Sequence, residues 1–574
     1  MCSSIYKPGC IVFIAVALLA CSKLNAAASP APDAGTIIRS LTPQHERPGT
    51  LPSPEEATPA ETVAEGNGDI QVTARVFRFQ GYEGLATEAE LQTLVAGYVG
   101  KSLDMDALQG VLDTVTARLK SKRWFLAEAY LPEQNLAGGI VRIAIMQGKS
   151  DGAIRIKRNK SVRISEKQLE GIAFKGATPG EPLNLRRLER AILLVKQLPG
   201  VQARSMISPG SVPGSSVVTF EVNEGPLVSG SAWSDNTANP YTGAWSGNAQ
   251  VKLNDPSGHG DQFIVRYSGS EGLNQGRVGY SFPVGFGGVW GNLSWTGMNY
   301  KLLQELKGRG YEGESSIIEG ELSWPIVKRR KTSLAAGVGY AHKHLTDRQE
   351  STGLHDKTVK AGNVSLSLTN YDTWLGGGST TLDLAARYGN FYQPERYDTA
   401  TGVMGDFSCV TASFSRLQRV SSRLNLSFSC STQLAFDNLD TSEKFYLGGP
   451  YGVRAWPVGE AGGDSGQLLN ADLDYLLPFP PAWGKVRLGG FYDAGHVTLN
   501  HDRYSGDVTS ATGRNDYWLQ GAGVSLRWTI WKSCEIHCTW AHTIGDNPGR
   551  SSSGANADGK SDSSRFWLQG MVSF

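Results

Sequence analysis

Cys534-Glu535-Ile536-His537-Cys538 is the stretch that most resembles a metal-binding or nucleophilic cluster. A structural zinc site takes four ligands, usually as two close pairs, and no second Cys/His pair accompanies this one. The segment also lies in alternating, strand-like sequence, where neighbours point to opposite faces. No metal is expected. His496 and His542 belong to no recognisable Ser/His/Asp set. No nucleotide motif occurs, and the N-terminal third holds neither a Gly-rich phosphate loop nor a nucleophile elbow. The residues therefore point to a protein without catalytic groups or cofactors, and function must be sought in what the elements build.

Composition narrows the classes. The 574 residues carry 55 Lys+Arg against 54 Asp+Glu, so a net charge of +1 gives no reason to expect nucleic acid as partner. Charged residues make up 19%, below the usual share of about 25%. The 69 glycines exceed the ~40 of an average chain this long. Mean hydropathy is −0.26, and past the first thirty residues no apolar run approaches the ~20 residues of a spanning helix. That excludes helical membrane proteins. It leaves a membrane β-barrel, whose alternating strands average to a polar hydropathy.

Lys7 and the apolar run Ile11 to Ala20 read as a signal peptide, residues 1–28, with an A-x-A cut after Ala28. Leu18-Leu19-Ala20-Cys21 offers lipidation at Cys21 as the competing outcome. Residues 29–69 are rich in Pro, Ala, Glu and Thr and read as linker. Within them, Ile37, Ile38 and Leu41 recur at helical spacing behind Asp33, a residue able to cap. On these residues alone it reads as a frayed helix in a disordered tail. Residues 70–150 read β-α-α-β-β, with a capping box at Thr87 to Glu90. Residues 151–226 repeat the order, which makes two small binding modules of one plan.

From 227 to Phe574 the period becomes two. Ala522, Val524, Leu526, Trp528 and Ile530 share one face; Gly523, Ser525, Arg527 and Thr529 share the other. About sixteen such segments are expected, an even number as in single-chain bacterial barrels. Short connections (254–260, 286–287, 327–331, 418–420, 478–483, 532–533) alternate with longer ones (301–311, 345–356, 393–406, 437–464, 500–515, 545–561). This is the pattern of periplasmic turns and external loops. The alternation sets Asp493, Phe491, Gly489 and Gly495 toward the lumen. Cys409 and Cys430 flank a turn near Arg419-Val420 that sets them opposite one another, so export permits a disulfide. A one-residue slip would turn them to opposite faces.

Several stretches resemble the two-partner secretion transporters, outer-membrane pores that export haemolysins and filamentous adhesins. Tyr130-Leu131-Pro132-Glu133-Gln134, after Arg123 to Ala127, is similar to the family's GYxxAxxYLPxQ stretch. Gly180 to Asn184, Leu188 to Ala191, Leu198 to Val201, Pro209-Gly210 and Pro213-Gly214 have counterparts in it. So do Gly448 to Trp456 and Phe491-Tyr492-Asp493-Ala494-Gly495. The resemblance implies two POTRA domains in the periplasm before a β-barrel of about sixteen strands. The barrel would be plugged by an N-terminal helix (about 33–43) that carries Ile37, Ile38 and Leu41. Phe574 resembles the C-terminal signal of such barrels. The family tetrad Val-Arg-Gly-Tyr is here Val453-Arg454-Ala455-Trp456, and a left-handed Ala455 would cost about 1–2 kcal/mol. By the same resemblance the long loop folds inward and Arg454 pairs with Asp493.

The implied function is export of a large partner, with an N-terminal secretion domain, through the outer membrane without nucleotide hydrolysis. Outer-membrane lipids, periplasmic chaperones and the barrel-assembly machinery are the further partners implied. A barrel-assembly insertase of the same superfamily is the alternative; it usually carries more POTRA domains.

Overall fold

The computed structural model describes residues 31–41 and 71–574, apart from short breaks at 137, 153, 159–161, 350–352, 395–400, 505–506, 508–509 and 532. The expected signal segment and the linker beyond Leu41 lie outside the described residues.

Two α+β units come first. In one, helices α2 (Glu88–Val95) and α3 (Met105–Ser121) cover a three-stranded sheet. Its central strand, Ile140–Met146, runs parallel to Val76–Gln80 and antiparallel to Glu128–Tyr130. Local chemistry starts each helix: Thr87 Oγ1 accepts from Glu90 N and Asp104 Oδ1 from Ala107 N. The spacing of Leu108, Val111, Leu112, Val115 and Leu119 then buries one face of α3 against Phe77, Val141 and Ile143. The second unit repeats this with α4 (Glu166–Phe174) and α5 (Leu185–Gln197). Its central strand, Ser215–Glu224, is parallel to Arg155–Arg158 and antiparallel to Val201–Pro209.

The C-terminal part of the chain, from Val228 on, is a closed antiparallel barrel of sixteen strands, from Val228–Asp235 to Ser564–Ser573. The first and last strands close it, with Ser231 opposite Ser573 and Asp235 opposite Gln569. Phe574 extends the seam: its N–H donates to Gly230 O and its carbonyl accepts from Gly230 N, both at 2.9 Å. Its ring is outward and exposed. A Cβ on Gly230 would lie 2.5 Å from that ring, so the seam needs glycine there. Alternation sorts the wall as expected: in Lys485–Thr498, Leu488 and Tyr492 face outward while Phe491 and Asp493 are buried in the lumen.

The second α+β unit sits on the barrel rim that carries the short turns. Ser165 N donates to Gly258 O (2.7 Å), and Arg190 Nη2 donates to Gly287 O (3.2 Å) and Pro325 O (2.7 Å). Arg330 N donates to Glu189 Oε1 (2.8 Å).

Two expectations fail, both on register or strand length. Residues 345–356 are not a long loop, because Thr332–Gln349 and Gly353–Asp372 pair almost to their tips. Cys409 and Cys430 do not meet. The ladder runs five positions later than expected: Cys409 lies opposite Ala435 and Cys430 opposite Phe414. An odd offset exchanges faces. Cys409 is buried in the lumen, Cys430 shares the outward face of Phe414, and both thiols are free. A non-reduced digest should contain both as unpaired cysteines; a peptide crosslinked between them would refute this register. Cys538 lies opposite Leu526 and His537 opposite Arg527, so that thiol and imidazole face opposite sides of the wall.

Candidate functional site

Among the described residues, two elements occupy the lumen, helix α1 (Ala34–Leu41) and the connection between strands Leu424–Ala435 and Ser465–Leu476. That connection is long, and its stretch from Phe445 to Trp456 carries large apolar residues. Phe445, Leu447, Val453, Ala455 and Trp456 are all buried, in a cluster with Phe491, Val497, Leu519 and Ala541 of the wall. Burial of these side chains drives the loop inward. The turn at its tip is tight: Gly452 N donates to Gly449 O (3.0 Å) and Val453 N to Leu447 O (2.7 Å).

Arg454 stands at the centre of this cluster and is 2% exposed. Its Nε donates to Asp493 Oδ2 (2.8 Å) and its Nη2 to Asp493 Oδ1 (2.6 Å), a two-pronged pairing of planar groups. The remaining Nη1 donates to Asp472 Oδ1 (2.6 Å), and the guanidinium lies 3.5 Å from the centre of the Phe491 ring. Asp493 also accepts from Arg454 N (3.0 Å) and Asn470 Nδ2 (2.7 Å). Burial alone would lower the guanidinium's pKa, but the Asp493 and Asp472 carboxylates outweigh it and hold it above its ordinary value. The cation is thus permanent, and neither buried charge is left unpaired.

The tetrad's other members fix the loop from both sides. Trp456 Nε1 donates to Gln520 O (3.0 Å), and Trp567 Nε1 donates to Arg454 O (2.8 Å). Ala455 is not in the left-handed region, so the anticipated strain is absent. Its methyl has room because position 521 is glycine: a Cβ there would lie 2.5 Å from Ala455 Cβ. Gly495 does the same for Leu447, also at 2.5 Å. Gly521→Val should therefore push the tetrad off the wall at a cost of about 1–3 kcal/mol. Limited proteolysis of the purified barrel should then cut within 437–464, where the wild type resists.

The family resemblance pointed to Arg454 and Asp493, and the structure brings them together. Asn470, Asp472, Gln520 and Trp567 were not singled out. Asn470 and Asp472 had a signal, since they alternate onto the lumen face of their strand; they lie opposite Asp493 and Phe491.

Helix α1 is the second occupant. Asp33 caps it by accepting from Thr36 N (2.9 Å), and Ile37 and Ile38 are buried against Tyr241, Leu273, Met298 and Tyr300 of the barrel, with Leu41 at the edge of that cluster. The wall's Lys357 bonds Asp33 Oδ2 (2.5 Å), and Thr441 of the inward loop bonds the same oxygen (2.7 Å). Gly35 packs so closely that a Cβ would lie 2.3 Å from Thr441 Oγ1. One loop therefore touches the helix at Thr441, Lys444 and Tyr446 and the opposite wall at Arg454. Between them, Glu443 is held by Lys343 (2.7 Å) and Arg387 (3.2 Å).

Residues 214–527 match the haemolysin secretion/activation protein family (ShlB/FhaC/HecB), and residues 72–148 match the ShlB-type POTRA domain. The chain is 24% identical over 566 residues to the heme/hemopexin transporter protein HuxB of Haemophilus influenzae, covering 95% of each. It is 28% identical over 469 residues to the outer membrane transporter CdiB of an Escherichia coli strain, covering 78% of this chain and 77% of that one. The solved structure of CdiB from Escherichia coli superposes with a TM-score of 0.72 at 22% identity, over 94% of this chain and 95% of that one. A closed sixteen-stranded barrel behind a POTRA domain, with that family match across more than half of its length, makes this chain a member of the haemolysin secretion/activation family of outer-membrane two-partner secretion transporters.

Proposed function

We propose that the chain carries one large, unfolded partner protein from the periplasm to the cell surface, using no nucleotide. Both α+β units act as POTRA domains that receive it, and the inward loop and α1 hold the lumen in its resting, occupied form. The observation that carries this reading is Arg454, buried in the lumen between two carboxylates on a loop that also contacts the plug helix. A passive diffusion pore has no use for such a lock.

The receiving edge is available. Val201–Pro209 pairs on one side with Ser215–Glu224 and with no described strand on the other, and its Met206 and Ile207 are exposed. An extended passenger segment can add to such an edge through main-chain hydrogen bonds. Passage is then driven by folding outside, since a folded chain cannot return. The passenger is a haemolysin, an adhesin or a contact-dependent toxin. Chaperones and the barrel-assembly machinery serve the transporter's own insertion. The test is to express this chain with the large secreted protein encoded beside it. Passenger should reach the medium only when the transporter is present. If instead the cell's other outer-membrane barrels fail to assemble when the chain is lost, the insertase reading replaces this one.

A further inference from the structure

The rim that carries the short turns is divided. Turns at 254–261, 284–289 and 328–332 meet the second α+β unit through the contacts described above. Among the described residues, those at 372–378, 419–424, 476–485 and 530–534 make no hydrogen bond of that kind, yet they present large apolar groups. Trp374 and Leu375 are 65% and 64% exposed, Trp483 61% and Trp531 64%, and Phe479 stacks on Trp483 with ring centres 5.9 Å apart.

These turns are not loose. Gln418 Nε2 donates to the carbonyls of Trp374 (2.9 Å), Leu375 (3.1 Å) and Gly377 (3.1 Å). Arg419 N donates to Gly377 O (3.0 Å), Leu476 N to Arg423 O (2.7 Å) and Trp528 Nε1 to Trp483 O (2.7 Å). Each turn is thus fastened to the next. Leu375 and Trp531 adopt φ of 46° and 51°, left-handed values that cost a non-glycine residue about 1–2 kcal/mol. Such strain persists only where surrounding contacts enforce it, and here it aims an apolar side chain outward.

The charge on this arc has one sign. Arg423 and Lys485 are exposed on it. The carboxylates among these turns and their flanks, Asp372 and Glu535, are each paired, with Arg416 and Arg527. The collar is also continuous with the lipid-facing wall, where Leu426 and Phe428 are exposed just above Arg423 and Leu488 above Lys485.

We infer that this arc is a binding collar for anionic phospholipid of the inner leaflet. The aromatic side chains lie at headgroup depth and the cations meet phosphate. Continuity with the bilayer-facing surface and charge complementarity argue for lipid as the occupant, and not for a protein. The collar would fasten the undocked half of the rim to the membrane, while the docked half carries the POTRA unit.

The test uses the full-length protein in detergent micelles doped with equal phosphatidylglycerol and phosphatidylethanolamine, with retained lipid counted by native mass spectrometry. Phosphatidylglycerol should be preferred by about fivefold or more, since a single cation at an anionic surface contributes roughly that factor. The preference should fall at high salt. The combined variant Arg423→Gln, Lys485→Gln should approach parity while its barrel stays heat-modifiable. Arg423→Gln alone, a milder change, should lose about half of the preference on a logarithmic scale or less. Equal retention of the two lipids by the wild type would overturn the proposal. So would a preference that neither salt nor the variants reduce.

Discussion

Arg454→Ala should reduce secretion of the partner at least tenfold while leaving the barrel assembled. The barrel's strands do not depend on Arg454. The substitution instead leaves Asp493 buried at the wall without its cation, a change that costs about 3–5 kcal/mol. The loop relieves this by leaving its seat. Asp493→Ala should produce a similar defect, because Asp472 alone then holds the guanidinium. The double substitution should be little worse than either single one, as expected for two groups that share one contact. Arg454→Lys should rescue only in part: an ammonium can reach one carboxylate but cannot fork across Asp493 and still reach Asp472. The measurement is passenger in the medium, normalised to heat-modifiable barrel in the outer membrane. Full activity of both single variants, or defects that simply multiply in the double, would show that the pair does not act as a unit in secretion.

How much of the fold and the lock is legible in the sequence depends on the range of each interaction. Caps and helix faces are local, so Thr87, Asp104 and the Leu108 to Leu119 stripe announce α2 and α3 directly. Strand faces need only period two, which is why Asp493 can be assigned to the lumen. Register needs more. The hairpin after Arg419 turns through Ser421 to Arg423, with Val420 N and Ser421 N both bonded to Leu424 O. No residue type in that stretch dictates this geometry, and so the sequence pairs Cys409 with Cys430 when they lie on opposite sides of the wall. The lock is legible at its ends and not in its setting. Trp567 and Gln520 reach the tetrad from strands distant in sequence, and they do so only once the loop is inside the closed barrel.

Deleting residues 33–41 should raise the ion conductance of the purified protein in planar bilayers severalfold and suppress its fluctuations. Helix α1 has eight residues, too few to be stable alone, so its fold depends on its seat. That seat combines the burial of Ile37 and Ile38 with the Asp33–Lys357 pair. Burial alone would raise the pKa of the Asp33 carboxyl, but Lys357 and the hydrogen bonds from Thr36 and Thr441 outweigh it and hold it well below the usual carboxylate range. A depressed folded pKa means that this stabilisation is fully present above the ordinary value near 4 and is lost only as pH falls through the folded value. Mild acidification should therefore leave the helix seated, whereas Asp33→Ala should loosen it at neutral pH and give a conductance between wild type and deletion. Arg454→Ala supplies the comparison. The inward loop meets α1 at Thr441, Lys444 and Tyr446 and is held besides through Glu443 by Lys343 and Arg387, so releasing Arg454 should open the channel less than removing the helix. Equal conductance of wild type and deletion would mean that α1 does not obstruct the pore. An opening by Arg454→Ala as large as that by deletion would mean that the loop's remaining contacts with α1 and its Glu443 anchor do not hold it once Arg454 is released.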